Sequence, residues 1–240
     1  MVGFRLRLFC ASLLALSISG LLHPPLASSQ EKAQFQFWPE VDLYYRFDAQ
    51  WRLFALASLT RAREVQYTDG QLAVHLDFSF YPIEPLLKVV ATDFERYRAF
   101  LFRVGYAYSH SIGENSGDYL EHRGIAEASF RIPVTGLILL SDRNRGEFRD
   151  INGAYSFRYR NRLRIERQTK TDFVTLTPYL SAEFYYDSRY EMWNRQQYTA
   201  GIEWTLSGGA ILDTYYQRQN DSRSTPSAVN AVGLSVTFFY

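Results

Sequence analysis

The stretch from Ser156 to Gln168 reads S-F-R-Y-R-N-R-L-R-I-E-R-Q, and it decides the fold class. Every second residue is charged, namely Arg158, Arg160, Arg162, Arg164 and Glu166. The residues between them are mostly apolar. Successive side chains of a β-strand point to opposite faces, so a strand gathers these charges on one face. A helix would spread them around its axis, so the pattern predicts a strand.

A row of like charges on one strand face is costly unless that face is wet or meets carboxylates. The apolar face must also be hidden from water. A transmembrane β-barrel satisfies both demands, with lipid outside and an aqueous lumen inside. The competing fold is a soluble, lipocalin-like barrel with its apolar face inward, because alternation alone does not say which face is inside. The near absence of charge from the apolar faces favours the membrane barrel.

Residues 1–29 have the layout of a secretory signal peptide. Arg5 and Arg7 form the basic segment, and an apolar run extends from Leu8 to Leu22. Two prolines then precede Ala27-Ser28-Ser29, which offers a small-residue cleavage site. The apolar run is shorter than the ~20 residues that a spanning helix needs. We therefore expect residues 30–240 to form the mature protein as one domain.

The composition narrows the chemistry of the mature chain. The only cysteine of the sequence, Cys10, lies in the predicted leader. The mature chain therefore has no cysteine, which excludes disulfides and thiol catalysis. Charge is close to balanced, which argues against a nucleic-acid partner. The full sequence has three lysines and 23 arginines, and arginine suits fixed positions in a confined polar space. The sequence has no phosphate loop, no HExxH motif and no compact metal-ligand cluster, so it predicts no cofactor.

Strands with period-two alternation follow one another from Val41, after a start of order at Trp38-Pro39. Turn residues separate them, as at Pro133 to Gly136. Eleven strands are clear, and the segment 86–91 is a further candidate. Bacterial single-chain barrels have even strand numbers. We therefore predict an all-β, antiparallel barrel of twelve strands, with ten as the alternative. Twelve strands would place both termini on one side.

The last strand predicts where the protein resides. Val232, Leu234, Val236, Phe238 and the terminal Tyr240 share one face. A terminal aromatic residue preceded by alternating apolar residues resembles the C-terminal assembly signal of outer-membrane proteins. The expected location is the bacterial outer membrane. The expected partners are outer-membrane lipid and, through the Tyr240 strand, the assembly machinery of that membrane.

If the apolar faces meet lipid, the polar faces line the lumen. One arc, from three consecutive strands, is basic: Arg123, Arg131, Arg143, Arg145, Arg149, Arg158, Arg160, Arg162 and Arg164, with Glu166 among them. The next three strands contribute Glu183, Glu203 and Asp213. Charged rings select ions in pores. The pattern favours a small channel or binding barrel for anionic solutes. A closed structural barrel, filled by an internal salt-bridge network, is an alternative.

A lipid-modifying enzyme is another alternative. His75, Asp77 and Ser79 share one strand face, so a histidine, a carboxylate and a serine fall in line. The loop H-S-I-G-E-N-S-G at 110–117 resembles the histidine-serine-asparagine-glycine region of the outer-membrane phospholipase A family. Order and spacing differ, so no catalytic role is carried over. We assign no catalytic residue and expect a role other than enzyme.

Four runs together resemble the outer-membrane barrel family catalogued as domain of unknown function 2490. They are D-R-N-R-G-E-F-R at 142–149, R-Y-R-N-R-L-R-I-E-R at 158–167, P-Y-L-S-A-E-F-Y at 178–185 and R-Q-Q-Y-T-A-G-I-E-W at 195–204. The resemblance covers most of the mature chain and implies a barrel in the outer membrane, with no established activity. In charge pattern alone, the arginine-lined wall is similar to the oligogalacturonate-specific porins, twelve-stranded barrels that pass acidic sugars.

Overall fold

The computed structural model describes residues 33–62, 68–82, 98–112, 118–135, 138–171, 174–206 and 209–240. Within these ranges the chain is built from β-strands. The strands are β1 (Gln34–Arg46), β2 (Trp51–Ala62), β3 (Thr68–Pro82), β4 (Arg98–Ser111), β5 (Leu120–Thr135), β6 (Ile138–Ile151), β7 (Ala154–Arg167), β8 (Thr169–Lys170), β9 (Thr175–Asp187), β10 (Met192–Thr205), β11 (Ala210–Asp221) and β12 (Ala228–Phe239). No helix in the described ranges is long and apolar enough to cross a membrane. The signal peptide predicted at 1–29 lies outside them.

The strands form one closed barrel, which confirms the predicted all-β barrel. Each long strand pairs antiparallel with the next along the chain, from β1 to β7 and from β9 to β12. The pairing of β7 with β9 joins these two series. The sheet has twelve strands, but β8 contains two residues and pairs only with the start of β9. Eleven long strands of the described residues therefore surround the lumen.

The barrel closes through a parallel pair, β1 with β12. Its register runs from Gln34 opposite Val229 to Tyr44 opposite Phe239. Because both strands run the same way, β1 starts at one end of the barrel and β12 finishes at the other. The expectation that both termini share one side is wrong for these strands. An odd number of long strands requires such a parallel closure, and the candidate strand at 86–91 lies outside the described residues.

Polar side chains point into the barrel and apolar side chains point out. Leu72 is 63% exposed and Val104 is 57% exposed, whereas Arg52 and Asp77 are 1% and 0% exposed. A soluble, lipocalin-like barrel would show the reverse. The structure therefore lacks the apolar interior of a lipocalin-like barrel. The outward surface is also rich in aromatic side chains, including Phe47, Trp51 and Tyr155 on the exposed face.

Proline and turn residues explain where the ladders begin, break and end. The strand β1 starts at Gln34, earlier than the predicted start at Trp38-Pro39. Its ladder to β2 is interrupted at these two residues, because proline has no N–H to donate. Pro133 likewise lies in β5, where the register shifts between Pro133 and Thr135, so the strand extends into the predicted turn from Pro133 to Gly136, of which residue 136 lies outside the described ranges. Asn152 and Gly153, with φ of 51° and 84°, form the two-residue turn between β6 and β7.

The β1–β2 turn is held by a side chain of its own. The Asp48 carboxylate accepts backbone N–H groups of Gln50 at 2.6 Å and Trp51 at 2.8 Å. Hydrogen bonds to the charged form stabilise it. The bond from Gln50 and then the bond from Trp51 lower the pKa of the Asp48 carboxyl below its ordinary value. The turn therefore depends on an ionised Asp48.

Three rings pack over glycines on the inner wall. His75 covers Gly105, Tyr179 covers Gly201, and Tyr215 covers Gly233. A methyl group at Gly201 would lie 2.6 Å from the Tyr179 ring. Glycine is needed at these positions because it leaves room for a ring to lie flat against the backbone. Strand glycines thus decide where the inner aromatic side chains lie.

We predict that Gly201→Ala destabilises the barrel by about 1–3 kcal/mol, the usual cost of overpacking. The Tyr179 ring would have to leave its place, because ring atoms meet the new methyl group. Denaturant unfolding of the refolded protein measures the change. Gly124→Ala is the matched control, since its methyl group would come no closer than 3.9 Å to a neighbour. Equal stability of the two variants would contradict the prediction.

Candidate functional site

One cavity of about 580 Å³ occupies the lumen. It extends from Thr60 and Gln219 near the start of β1 to Leu101 and Ile211 near the other end. All the predicted lumen residues except Arg149 line it: Arg123, Arg131, Arg143, Arg145, Arg158, Arg160, Arg162, Arg164, Glu166, Glu183, Glu203 and Asp213. Arg149 is buried against Glu121 and Asp187. The strand periodicity therefore found the inner face.

Most arginines of the basic wall are paired with carboxylates. Glu183 accepts Arg143 at 2.5 Å and Arg160 at 2.8 Å, so it holds two neighbouring strands to β9. Arg160 also reaches Glu147 at 2.9 Å, and Arg145 reaches Glu127. Each carboxylate serves more than one guanidinium. A charged group that loses water in a confined space is stable only when an opposite charge lies beside it. The arginines of the basic wall therefore depend on these carboxylates.

The pairing continues toward both ends of the lumen. At one end, Asp187 is shared by Arg149, Arg158 and Arg189, with Arg189 at 2.7 Å. At the other end, Arg164 bonds Glu166 at 2.7 Å and also contacts Glu203 on β10. The excess of arginine on β5 to β7 is thus offset by acids on β9 and β10. The predicted basic and acidic arcs meet along β7 and β9.

Arg162 differs from its neighbours on the arginine strand. Among the parts of the chain that the structure describes, it forms no hydrogen bond or ion pair. It lies in register with Arg143 on β6 and with Glu183 on β9, and these two are bonded to each other. Its guanidinium therefore faces the cavity with its donors available. This is the most direct anion-binding group on the wall.

Tyrosines on the inner face lie beside the arginines of the basic wall. No structural role was predicted for them from the sequence. Arg164 lies 3.8 Å above the Tyr179 ring, and Arg160 lies 4.6 Å above the Tyr185 ring. The Tyr179 hydroxyl donates to Asp213 at 2.9 Å. These rings stack on guanidinium planes and fix their orientation. Both tyrosines stand at odd-numbered positions of β9, which form its polar face. This alternation could have predicted that their rings face the lumen.

The comparisons place the chain in a family. Residues 35–230 match the family described as protein of unknown function DUF2490. The chain belongs to this family. A comparison with curated proteins finds no match. The DUF2490 range includes β2 to β11 in full, so it contains the whole basic wall from β5 to β7. Membership agrees with the closed barrel and adds no activity.

A second charged cluster in the DUF2490 barrel lies on β2 to β4. Asp77 is fully buried and accepts Arg52 at 2.7 Å and Arg103 at 2.6 Å. Arg52 lies 4.0 Å above the ring of Tyr44, and Arg103 lies above that of Phe54. Neither arginine was predicted from the sequence as a partner of Asp77. The cluster joins three strands and fills one side of the lumen.

The His75, Asp77 and Ser79 line does not form a catalytic arrangement. Asp77 is engaged by the two arginines, and no hydrogen bond in the described residues joins it to His75. The His75 ring stacks on Phe54 at 5.2 Å. The Ser79 hydroxyl donates to the carbonyl of Gln50 at 3.4 Å. A nucleophile requires a base within reach, so these residues are structural.

The remaining candidates add no chemistry. His110 contacts the carbonyl of Tyr119 at 3.1 Å, while residues 113–117 of its loop lie outside the described ranges. In those ranges no three histidine or acidic side chains are placed to hold a metal ion. The charged cavity on the basic wall is therefore the candidate site.

A polar cluster on the outer face was not expected. Asn161 donates to Asp142 at 2.7 Å and to Asn144 at 3.2 Å, and Tyr159 donates to Asn144 at 2.5 Å. Asp142 and Asn161 are buried, with Phe184 in register beside Asn161. The sequence predicts a near absence of charge from the apolar faces, and Asp142 is a charged residue on such a face. Its signal was present in D-R-N-R, where acid and amide alternate with arginines.

We predict that Asp77→Asn lowers the free energy of unfolding by about 3–5 kcal/mol, the cost of leaving a buried partner unpaired. Two buried guanidinium groups lose their shared carboxylate in this variant. Denaturant titration of the refolded barrel measures it. The control is Asp118→Asn, the same change at an exposed position. If both variants unfold at the same denaturant concentration, the Asp77 cluster does not stabilise the fold.

Proposed function

We propose that this barrel resides in the bacterial outer membrane and passes small anionic solutes along the basic wall of its lumen. The observation that carries the proposal is the available guanidinium of Arg162, set in a row of otherwise paired arginines and facing the cavity. A charged group that lines a pore selects ions by its sign. The paired neighbours Arg160 and Arg164 hold the row in place.

Two features support the membrane location. The outward face is apolar over most of its area, and the inward face is polar. A large exposed apolar surface is unfavourable in water and favourable in lipid. We infer that outer-membrane lipid covers this face. Unsatisfied strand edges are absent from the described wall because the sheet closes on itself, as a bilayer requires.

We also infer that the last strand is recognised by the outer-membrane assembly machinery. Tyr240 is 71% exposed, so its side chain is available to a partner. Its backbone is held by the first strand, because its N–H donates to the Tyr44 carbonyl at 2.9 Å and its carbonyl accepts the Arg46 N–H at 2.9 Å. A partner would therefore meet a terminal aromatic residue presented at the barrel seam.

The pairing of most arginines favours a second candidate, a closed structural barrel. Glu147, Glu183 and Asp187 each engage two or more guanidinium groups. If this network fills the passage, the protein contributes strength to the membrane and conducts nothing. The two candidates make opposite predictions about current.

The first test is ion current through the refolded protein in a planar bilayer with a salt gradient. We predict a reversal potential of the sign that anion preference gives. In Arg162→Gln the anion-to-cation permeability ratio falls about fivefold, because removing one unit charge changes the energies of an anion and of a cation by about 0.5 kcal/mol each, in opposite directions. The reversal potential measures this ratio directly.

Arg167→Gln is the matched control. It removes the same charge from the same strand, but Arg167 is exposed and alternates with the lumen residues of β7. Its reversal potential should equal that of the wild type. An unchanged ratio in Arg162→Gln would count against the proposed role of Arg162. A well-folded barrel that carries no current would establish the closed structural barrel instead.

A further inference from the structure

Among the described residues, two ionisable side chains of opposite type face the lumen without a hydrogen-bond or ion-pair partner. Arg162 is one, and Glu40 on β1 is the other. Glu40 is half-buried, lines the same cavity, and forms no hydrogen bond or ion pair within the described part of the chain. Other charged side chains of the described inner face have hydrogen-bond or ion-pair partners, as Asp77, Glu183 and Asp213 show. The two exceptions are therefore unusual for this lumen.

These two groups lie on opposite sides of the barrel. In the ring of eleven long strands, β7 is five strands from β1 through β12, β11, β10 and β9, and six strands in the other direction. Strands ~4.8 Å apart and tilted by ~40° give a backbone diameter of roughly 22 Å for eleven strands. Side chains from facing walls extend toward the middle of that space and leave a gap between them.

The side chains near Glu40 make one wall of the cavity acidic, and those near Arg162 make the opposite wall basic. Glu40, Ser235 and Asp213 are in register on β1, β12 and β11, so two carboxylates lie on one wall. Arg162 is in register with Arg143 on the other wall. Glu40 is within electrostatic range of Asp213, of Arg145, which is bonded to Glu127, and of Arg162 and Arg143. The carboxylate and the guanidinium thus face one another across the cavity without forming an ion pair.

A charge in a confined lumen is stable when it is hydrated or when it meets an opposite charge. A small anion satisfies Arg162 and adds a like charge near Glu40. A small cation does the reverse. A molecule that carries both charges, one at each end, satisfies both groups together.

We propose that the lumen site takes a small zwitterion, with its anionic group on Arg162 and its ammonium group on Glu40. This inference rests on the proposed function, because it places the anionic group of the solute on Arg162, and it adds a positive group to the solute at the same site. The Tyr179 hydroxyl bonds Asp213, the acid beside Glu40, and so leaves Glu40 as the carboxylate that receives the ammonium group. Recognition of the solute therefore needs both walls.

The experiment is calorimetric titration of the refolded full barrel with γ-aminobutyrate, butyrate and butylamine. The wild type should bind γ-aminobutyrate about tenfold more tightly than butyrate, the gain expected from one hydrogen bond to a charged group. β-Alanine and ε-aminocaproate, titrated alongside, vary the distance between the two charges. The wild-type ratio tests the inference without any variant.

The variants then assign each end of the solute. Glu40→Gln should bring the ratio of the two affinities close to one while butyrate still binds. Arg162→Gln should weaken both ligands. The control Glu191→Gln makes the same change in the exposed turn between β9 and β10, outside the cavity, and should leave the ratio unchanged. A β-sheet circular dichroism spectrum shows that each variant has folded.

The outcomes separate the two proposals. If butyrate and the three amino acids bind the wild type equally, and binding still depends on Arg162, the zwitterion inference is overturned and the anion proposal stands. If none of the amino acids binds, the zwitterion inference is also overturned. If, in addition, Arg162→Gln leaves the reversal potential unchanged, the proposed function fails as well.

Discussion

The structure depends on the pairing of charge inside a closed wall. An arginine that leaves water must meet a carboxylate, an aromatic face or a ligand. On the inner face most arginines meet the first two, as Arg160 does with Glu183 and the ring of Tyr185. Because one carboxylate often serves arginines from two strands, the same contacts that neutralise the lumen also hold neighbouring strands in register. Charge neutralisation and strand alignment are thus one interaction.

Because most charged side chains on the inner face are paired, a charged side chain without a partner is informative about function. In an apolar core an unpaired charge would be strongly destabilising. In a hydrated lumen it can be solvated by water or bind a solute. The inner face of this DUF2490 barrel joins a crowded network of paired arginines to a cavity with charges held apart. The paired groups provide a rigid frame, and the separated groups provide a surface whose charge is still available. A binding site needs both, because preorganised groups lose little freedom when a ligand arrives.

Much of this could be predicted from the sequence because side-chain alternation is a local property. The inner arginines of β7 alternate in the sequence itself, so their common face required no knowledge of other strands. Which carboxylate each arginine meets depends on register between strands, and register is a property of the closed sheet. Asp77 shows the limit: its sequence neighbours His75 and Ser79 suggested catalysis, but its partners Arg52 and Arg103 come from adjacent strands. The Asp142 cluster was missed because only the charged face of β6 was considered, and the partners of Asp142 on β7 depend on the register between the two strands. The parallel closure depends on the final strand number, which no single strand reveals.

The parallel closure also determines at which end of the barrel a label on the first or the last strand emerges. Gln34 and Phe239 lie at opposite ends of neighbouring strands. A peptide label placed ahead of β1 and one placed after β12 therefore emerge from opposite mouths of the barrel. In a barrel with only antiparallel pairs they would emerge side by side. If a membrane surrounds the wall, the two labels report on different compartments, and a single chain carries a marker for each.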